Sequence, residues 1–414
     1  MKHTNAAGER NPIVQLPLFG EDCVLPTNRP TGGTGANGAK DAASRYAGLK
    51  AKLDLDALNQ NWRTITTQFH QTNPTNLNFI DLFSGAGGMS VGFRQAGLHK
   101  IFSVEVDRDA SATIRRNFPE STHFEGPIEA VSDALLNRVM AGRPIHVICG
   151  GPPCQGFSVA GLRKPQDPRN GLFHEYIRIV RYVQPDYVVV ENVPGILTMS
   201  GGAVYREILR QFAEIGYPGM SVRILEAAEY GVPQLRTRAI FIGNRLGRPN
   251  PYPTIQVGKA HYRAIESAIE DLKDVPRNPA SNHEWTDHSP TFVDRLRRVP
   301  PGGSLYSTFR DAWKRQYRGV PCMTIKENHG GVHVHYEKDR VLSAREMARL
   351  QTFPDSYLFA GTMKRAYWQI GNAVPCLLAQ HIALAIRADL EAGQADVLDL
   401  QPFEQIVQAG APRL

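Results

Sequence analysis

Between Asn78 and Asn244, short apolar runs alternate with stretches of helical periodicity, and this alternation constrains the fold more than any other feature of the chain. The runs are NFIDLF (78–83), IFSVEV (101–106), HVICGG (146–151), DYVVVENV (186–193), SVRILEA (221–227) and AIFIGN (239–244). Helical stretches fall at Met89–Ala96, Asp109–Phe118, Leu172–Val183 and Glu207–Ile215. Strands that alternate with helices predict a parallel α/β sheet covered on both faces, because crossover helices pack on a sheet that is apolar on both sides. The pattern stops at the Pro-rich stretch Arg248–Thr254. Residues 255–340 gain Arg, His, Pro and Gly, which predicts a second, irregular module. After Leu342 the helical pattern returns, and GNAVPCLLAQHIALAIRADL (371–390) reads as a loop entering a buried helix.

The ends of the chain read differently. Residues 1–43, with TGGTGANGAK at 31–40, suit a flexible tail. From Ser44 to His70 apolar residues recur at near-helical spacing (Leu49, Leu53, Leu58, Trp62, Ile65, Phe69), with Ser44 able to cap. The expected organisation is therefore a tail (1–43), a helical extension (44–75), the first part of a sheet domain (76–254), an irregular domain (255–340) and a return to the sheet domain (341–414). Hydrophobic residues make up 42% of the 414 residues, so a sizeable core is available and wholesale disorder is excluded. No run reaches the ~18 consecutive apolar residues of a membrane span, so no membrane partner is expected. The first residues have no apolar segment of the secretory kind. Five cysteines (23, 149, 154, 322 and 376) form an odd set with no C-x-x-C pair, which argues against a disulfide framework or a Cys-rich metal site. A reducing, cytoplasmic setting is expected.

The formal net charge is +7, which permits a polyanionic partner. Its distribution says more. Between residues 295 and 318 stand Arg295, Arg297, Arg298, Arg310, Lys314, Arg315 and Arg318, against the single acid Asp311, with Tyr306, Phe309, Trp313 and Tyr317 among them. Basic residues interleaved with rings suit phosphate contacts and base stacking, and equally a solvated basic face over partly buried rings.

Four motifs carry chemistry. In DLFSGAGGMS (81–90) a strand runs into Gly85, Gly87 and Gly88 and then a helix, where backbone N–H groups can approach a ligand. Glu105 follows Gly88 by 17 residues at the next strand's end, a place from which an acid commonly bonds ribose hydroxyls. The G-x-G-G spacing is not the dinucleotide pattern, so an adenosine-type cofactor other than NAD fits better, while a tight strand-to-helix turn is the plain alternative. In GGPPCQGFS (150–158) two prolines stiffen a loop that presents Cys154 at a strand end; Cys149, inside the strand, suits ordinary burial. In VVVENVPG (188–195) Glu191 ends a strong β run, where a buried carboxyl could hold a proton to donate, though such residues often only cap helices. In QLRTRAIFIG (234–243) Gln234, Arg236 and Arg238 alternate, so along a strand they share one face and need polar partners.

The order of FSGAGG, the strand-end Glu, PPCQGFS, DPRNGLF, ENVPG, QLRTR, REMARLQTFPDSY and QIGNAVP closely resembles the DNA (cytosine-5)-methyltransferase family, bacterial or phage type. The resemblance covers about 79–246 and 341–390, and leaves out the N-terminal tail and 255–330. It implies a Rossmann-like, doubly wound α/β methyltransferase sheet with a smaller target-recognition domain at 255–340. It implies S-adenosylmethionine as cofactor and double-stranded DNA as partner. Cys154 would attack C6 of a flipped cytosine, Glu191 would hold N3, Arg238 would contact O2 and Arg236 would support Glu191. Phe83, Ser84, Gly85, Ala86, Gly87, Gly88, Glu105, Val106, Ile128, Pro153, Leu172, Asn372 and Val374 would line the cofactor site. Gln155, Ser158, Arg295, Arg297, Arg298, Arg310, Lys314, Arg315 and Arg318 would contact DNA. A monomer associated with the nucleoid, with a cognate restriction endonuclease as a candidate partner, completes the expectation; no metal is implied.

Two departures stand out. Gly126-Pro127-Ile128 replaces the usual Gly-Asp-Ile, so the adenine loses a side-chain acceptor, and His335-Tyr336 stands where many members have His-Pro. The nearest alternatives are an RNA cytosine-5 methyltransferase and a catalytically silent DNA-binding regulator on the same scaffold. Gly156-Phe157-Ser158 and the basic window favour DNA; Cys154, Glu191, Gly85 and Gly87 favour an active enzyme.

Overall fold

The computed structural model describes residues 74–153, 168–308, 313–327 and 333–392; the expected tail and the helical stretch at 44–70 lie outside the described residues. The main sheet is seven-stranded and comprises β1 (Asn78–Leu82), β2 (His99–Glu105), β3 (Thr122–Glu125), β4 (Val147–Gly150), β5 (Tyr187–Asn192), β6 (Ser221–Glu226) and β7 (Thr237–Asn244). Their order is β3-β2-β1-β4-β5-β7-β6. The strands β1 to β5 pair in parallel, whereas β7 runs antiparallel to β5 and β6. Helices α1 (Gly88–Gln95), α2 (Arg108–Asn117), α3 (Asp133–Met140), α4 (Pro168–Val183) and α5 (Ala203–Glu214) connect them. The fold is thus the expected α/β Rossmann-like one, with the parallel expectation corrected at β7. Neither β3 nor α3 was expected: THFE has no apolar run, as suits a half-exposed edge strand, and α3 is short.

Alternation along the strands builds two cores, one on each side of the sheet. On one side Ile80, Leu82, Phe102, Val104, Ile148, Val188, Val190 and Phe241 pack on Tyr176, Ile177 and Val180 of α4 and on Ile208 and Phe212 of α5. On the other, Phe79, Cys149, Tyr187, Val189, Ile240 and Ile242 pack on Met89 and Phe93 of α1 and on the C-terminal return. Both faces of β5 are buried, which is why its run of valines is unbroken. Beneath the glycine turn, Ser90 of α1 donates to the buried Asp81 carboxyl at 2.6 Å; burial pushes the Asp81 pKa up.

After β7 the alternation ends. Short elements follow: α6 (Glu266–Ile269), α7 (Pro290–Arg297) and the parallel two-stranded pair β8 (Lys314–Arg315) with β9 (His333–Val334). The chain then returns through α8 (Ala344–Leu350), α9 (Met363–Asn372) and α10 (Cys376–Ala392). Ser343 and Glu346 form a reciprocal capping box at the start of α8, and Arg340 pairs with the fully buried Glu346. The 30-residue stretch Met363–Ala392 contains a long apolar window, but it comprises two helices separated at Ala373–Pro375, and that window is mostly buried inside the protein, as befits a core element.

The helix α10 lies directly on α1, so the end of the chain completes the core begun at its first helix. Glycines permit the approach. A Cβ on Gly88 would fall 2.2 Å from the Val374 carbonyl oxygen, and one on Gly92 would fall 2.4 Å from that of Cys376. Although alanine is the better helix former, Gly92→Ala should destabilise the protein by roughly 1–3 kcal/mol through overpacking, read as a lower urea midpoint. An unchanged midpoint would contradict the close packing.

Two buried histidines set an acid limit. His333 and His335 are 3% and 0% exposed, and burial lowers the pKa of each from 6.5 to about 4. Between these values the unfolded chain binds protons that the folded chain does not, so stability falls as pH drops from 6.5 towards 4. His335 Nδ1 accepts from the N–H groups of Glu337 and Lys338, a role that an asparagine oxygen can take. His335→Asn should therefore fold at pH 7 and show a shallower loss of urea midpoint between pH 7 and 5. An equally steep loss would remove His335 from the account.

Candidate active site

The strand order reverses between β1 and β4, since β1 continues to β2 and β3 on one side and β4 to β5 on the other. A crevice opens beyond the C-terminal ends of strands at such a point, and ligands bind there in open α/β sheets. The glycine turn after β1, Glu105 at the end of β2, the Gly150–Pro153 segment and Glu191 near the end of β5 all lie at that end of the sheet.

On the β1 side the chain turns sharply. Phe83, Gly85 and Gly87 have φ of 57°, 51° and 79°, in the left-handed region. A Cβ on Gly87 would fall 2.7 Å from Ile114 and from the Tyr357 hydroxyl, whereas nothing stands within 4 Å of one on Gly85. Gly87 is thus required by packing, and Gly85 faces open space. Ser84 is tied to β2 through its N–H to Val104 O at 3.0 Å, and the Tyr357 hydroxyl donates to Ala86 O at 2.7 Å. Glu105 closes the cradle. Its carboxylate accepts the N–H of Gly85 and that of Asp107, each at 2.8 Å, while burial pushes its pKa up against those two bonds. Each oxygen retains acceptor capacity for a ligand hydroxyl. The next residue, Val106, is 68% exposed, an apolar side chain left open at the surface by the described residues. Ile128 is buried, Leu172 half-buried, Val374 7% exposed and Asn372 exposed. Pro127 precedes the turn Ile128–Ala130, where a missing N–H breaks no helical bond.

On the β4 side, Gly150 and Gly151 lead into Pro152 and Pro153, and Pro153 is exposed. Cys154, Gln155 and Ser158 lie outside the described residues. Cys149 is fully buried, and burial pushes its thiol pKa well up, as suits a packing residue. The carboxylate of Glu191 lies over Gly151, where a Cβ would stand 3.1 Å from Oε2, and Asn192 donates to Pro152 O at 3.0 Å. Thus β5 holds both the carboxylate and the proline loop in place. Because β7 is antiparallel, it begins where β5 ends, which brings Arg238 to the same mouth. Its Nε lies 2.6 Å from Glu191 Oε1, with the two side chains 12% and 14% exposed.

The two arginines of QLRTR therefore differ from expectation. Only Arg238 lies on β7, an internal strand; Gln234 and Arg236 precede it. Arg236 does not support Glu191 directly. It is 2% exposed and donates to the carbonyls of Ile325 at 2.7 Å and of Gly371 and Ala373 at 3.0 Å each. Burial and the neighbouring Arg238 lower its pKa to about 9. Arg236 thereby clamps the chain leaving 255–325 to the loop that carries Asn372. Gln351, unremarked in the sequence beyond its motif, reinforces the clamp: it accepts from Gln234 and donates to Ile370 O and Ala373 O.

The basic window also divides. Arg315 is 5% exposed and bonds the carbonyls of Leu296, Val299, His335 and Lys338 and the Asp339 carboxylate. It is a core cross-link, because its fork satisfies backbone groups that no water reaches, and it is withdrawn as a DNA contact. Arg297 pairs with Asp294 and Asp339, and Arg318 with Glu337. Arg295 stacks on Phe292 and Tyr306, 5.4 and 5.5 Å from the ring centroids. Arg298 is exposed, Lys314 half-buried, and Arg310 lies outside the described residues. Among the described residues no cluster of His, Cys, Asp or Glu could hold a metal. Arg236→Met and Arg315→Met, which strand buried carbonyls, should each cost roughly 2–4 kcal/mol in urea unfolding. Arg297→Ala, at an exposed pair, should cost at most about 1 kcal/mol. Equal losses in all three would overturn this sorting.

Comparison with known proteins agrees with this geometry. A family model described as C-5 cytosine-specific DNA methylase matches residues 77–388. The type II methyltransferase M1.HphI of Haemophilus parahaemolyticus is 39% identical over 325 residues, which cover 75% of this chain and 86% of that protein. M.DdeI of Desulfomicrobium norvegicum is 34% identical over 366 residues, covering 74% and 88%. Among solved structures, a DNA modification methyltransferase encoded within an Escherichia coli prophage matches with a TM-score of 0.60 and 27% identity over 76% of this chain and 99% of its own. The chain belongs to the C-5 cytosine-specific DNA methylase family, and its activity is sequence-specific methylation of cytosine C5 in DNA.

Proposed function

We propose that the crevice between β1 and β4 methylates a cytosine flipped out of double-stranded DNA, with S-adenosylmethionine as methyl donor and Cys154 as nucleophile. The observation that carries this reading is the Glu191–Arg238 pair, with the Glu191 carboxylate seated over Gly151, which precedes Cys154 by three residues in the chain. The cradle fits an adenosyl group: open space at Gly85, a carboxylate at Glu105 with spare acceptor capacity, and the exposed Val106 wall. Phe83, Ile128, Leu172, Asn372 and Val374 complete it in this reading, with Pro127 leaving adenine recognition to the backbone and apolar contacts. When bound, S-adenosylmethionine supplies an electrophilic methyl group.

The chain's own residues prepare the base. The Cys154 thiolate adds to C6, which makes C5 nucleophilic. Glu191 holds or protonates N3, so that negative charge does not accumulate in the ring. In this reading Arg238, already at the Glu191 carboxylate, also contacts O2. Once C5 carries the methyl group, its proton passes to a water molecule acting as base, the Cys154–C6 bond breaks with its electron pair returning to sulfur as thiolate, N3 gives its proton back to Glu191, and 5-methylcytosine is released. Arg236 acts at one remove, by holding the loop of Asn372 against Ile325. Residues 255–340 serve as the target-recognition domain, where Arg295 and Arg298, which have no carboxylate partner among the described residues, are the first candidates for DNA contact. A cognate restriction endonuclease as biological counterpart is suggested by the relatives' type II designation; in this reading the chain works as a monomer at the nucleoid.

Methylation-sensitive sequencing of DNA from cells expressing the chain should show 5-methylcytosine within one short sequence. Cys154→Ser should abolish the signal, and Cys149→Ser should retain most of it. DNA containing 5-fluorocytosine should trap the wild type and not Cys154→Ser. Trapping through another cysteine would overturn the assignment.

A further inference from the structure

The cofactor reading leaves one conspicuous cluster unused. Arg365, on the first turn of α9, reaches across to the loop after β2. Its Nε donates to the Asp109 carboxylate at 2.7 Å and its Nη2 donates to that of Asp107. The guanidinium also lies over the ring of Trp368 at 4.6 Å, which fixes it from behind. The side chain is 32% exposed, and its partners 21% and 33%. An ion pair this exposed adds little to stability by itself.

What distinguishes it is where the force ends. Asp107 is held from three sides: its Oδ1 caps α2 by accepting from Asp109 and Ala110, its Oδ2 takes Arg365, and its backbone N–H donates to Glu105 Oε1 at 2.8 Å. Glu105, Val106 and Asp107 therefore form one rigid lip. Without Arg365, the Asp107 carboxylate beside Glu105 would keep its two N–H donors but lose its cation. The cation comes from the helix that leads directly to Asn372 and Val374, so one side chain joins the two halves of the cradle, which are far apart in sequence.

We infer that Arg365 is a positioning residue for cofactor binding: by clamping Asp107 and Asp109 it fixes the Glu105–Val106 lip against the α9 side of the pocket. This inference rests on the cofactor reading of the crevice, and the experiment separates the two. The same seam carries a second contact that does not touch the lip. Thr113 donates to Gln369 at 2.6 Å and accepts from the N–H of Ala360 at 2.8 Å. Loosening that contact tests a purely structural role.

Binding of S-adenosylhomocysteine to the full chain is measured by calorimetry in the absence of DNA, beside the melting temperature and the affinity for a DNA duplex. Arg365→Ala should weaken S-adenosylhomocysteine about tenfold, the equivalent of one lost charge-assisted contact, and leave DNA affinity unchanged. Arg365→Lys keeps the charge but not the fork, and should lose about threefold. Thr113→Val should lower the melting temperature at least as much and leave the dissociation constant within about twofold. The inference is overturned if Arg365→Ala and Arg365→Lys bind as the wild type does, or if Thr113→Val weakens binding as much as Arg365→Ala. Glu105→Ala should also weaken binding about tenfold. If it does not, the cofactor pocket itself is misplaced and the inference falls with it; if it does while the Arg365 variants bind normally, the clamp alone is wrong.

Discussion

At the C-terminal ends of β1 and β4 the two backbones approach so closely that a Cβ on Gly150 would stand 2.2 Å from the Leu82 carbonyl oxygen. The site depends on this pairing. The strand β1 leads leftward to β2 and its Glu105, and β4 leads rightward to β5 and its Glu191. The two carboxylates therefore flank one crevice with opposite duties. Glu105 is satisfied by backbone N–H groups, which suits a neutral, hydroxyl-bearing ligand; Glu191 is met by the Arg238 cation, which suits a polar base edge. A wider residue at 150 would force the two strand ends, and the two half-sites, apart.

A second constraint joins the sheet to the rest of the chain. The C-terminal return is not an appendage, since α10 fills the core against α1 and the link between α9 and α10 packs on the glycine turn, where a Cβ on Gly88 would stand 2.2 Å from the Val374 carbonyl oxygen. Arg236 pins that loop to the chain emerging from the irregular segment. Any movement of 255–325 relative to the sheet must therefore pull on a buried guanidinium whose other bonds end beside Asn372. Buried cations bonded only to carbonyls are costly to create, and they persist where the three segments they join must keep one register.

Much of this was legible beforehand. Alternation placed six strands to within two residues, and the positive φ of Gly85 and Gly87 was implicit in a glycine-rich turn between strand and helix. Glu105, Glu191 and Cys149 stand where strand-end and strand-interior reasoning put them. What was not legible has physical causes. The strand β3 is a polar edge, so no hydrophobic period announces it. The direction of β7 left no local trace, since a buried strand has the same composition either way round. Arg315 sits in a run of cations and aromatics, yet its neighbours in space are the carbonyls of Leu296, Val299, His335 and Lys338.

By itself, then, the sequence determined the layered architecture, the glycine turns, the strand-end carboxylates and the family, because these follow from periodicity, from steric limits on φ and from motifs read in order. Only the tertiary structure decided which charged side chain serves which purpose. A guanidinium sits at the end of a long, flexible stem, so its own neighbours in sequence say little about its partner. Arg236 found backbone carbonyls, Arg238 found Glu191, Arg315 found the interior, and Arg365 found Asp107 and Asp109, 258 and 256 residues away in the chain. These partnerships depend on strand direction and chain return, which are set by the packing of the whole sheet.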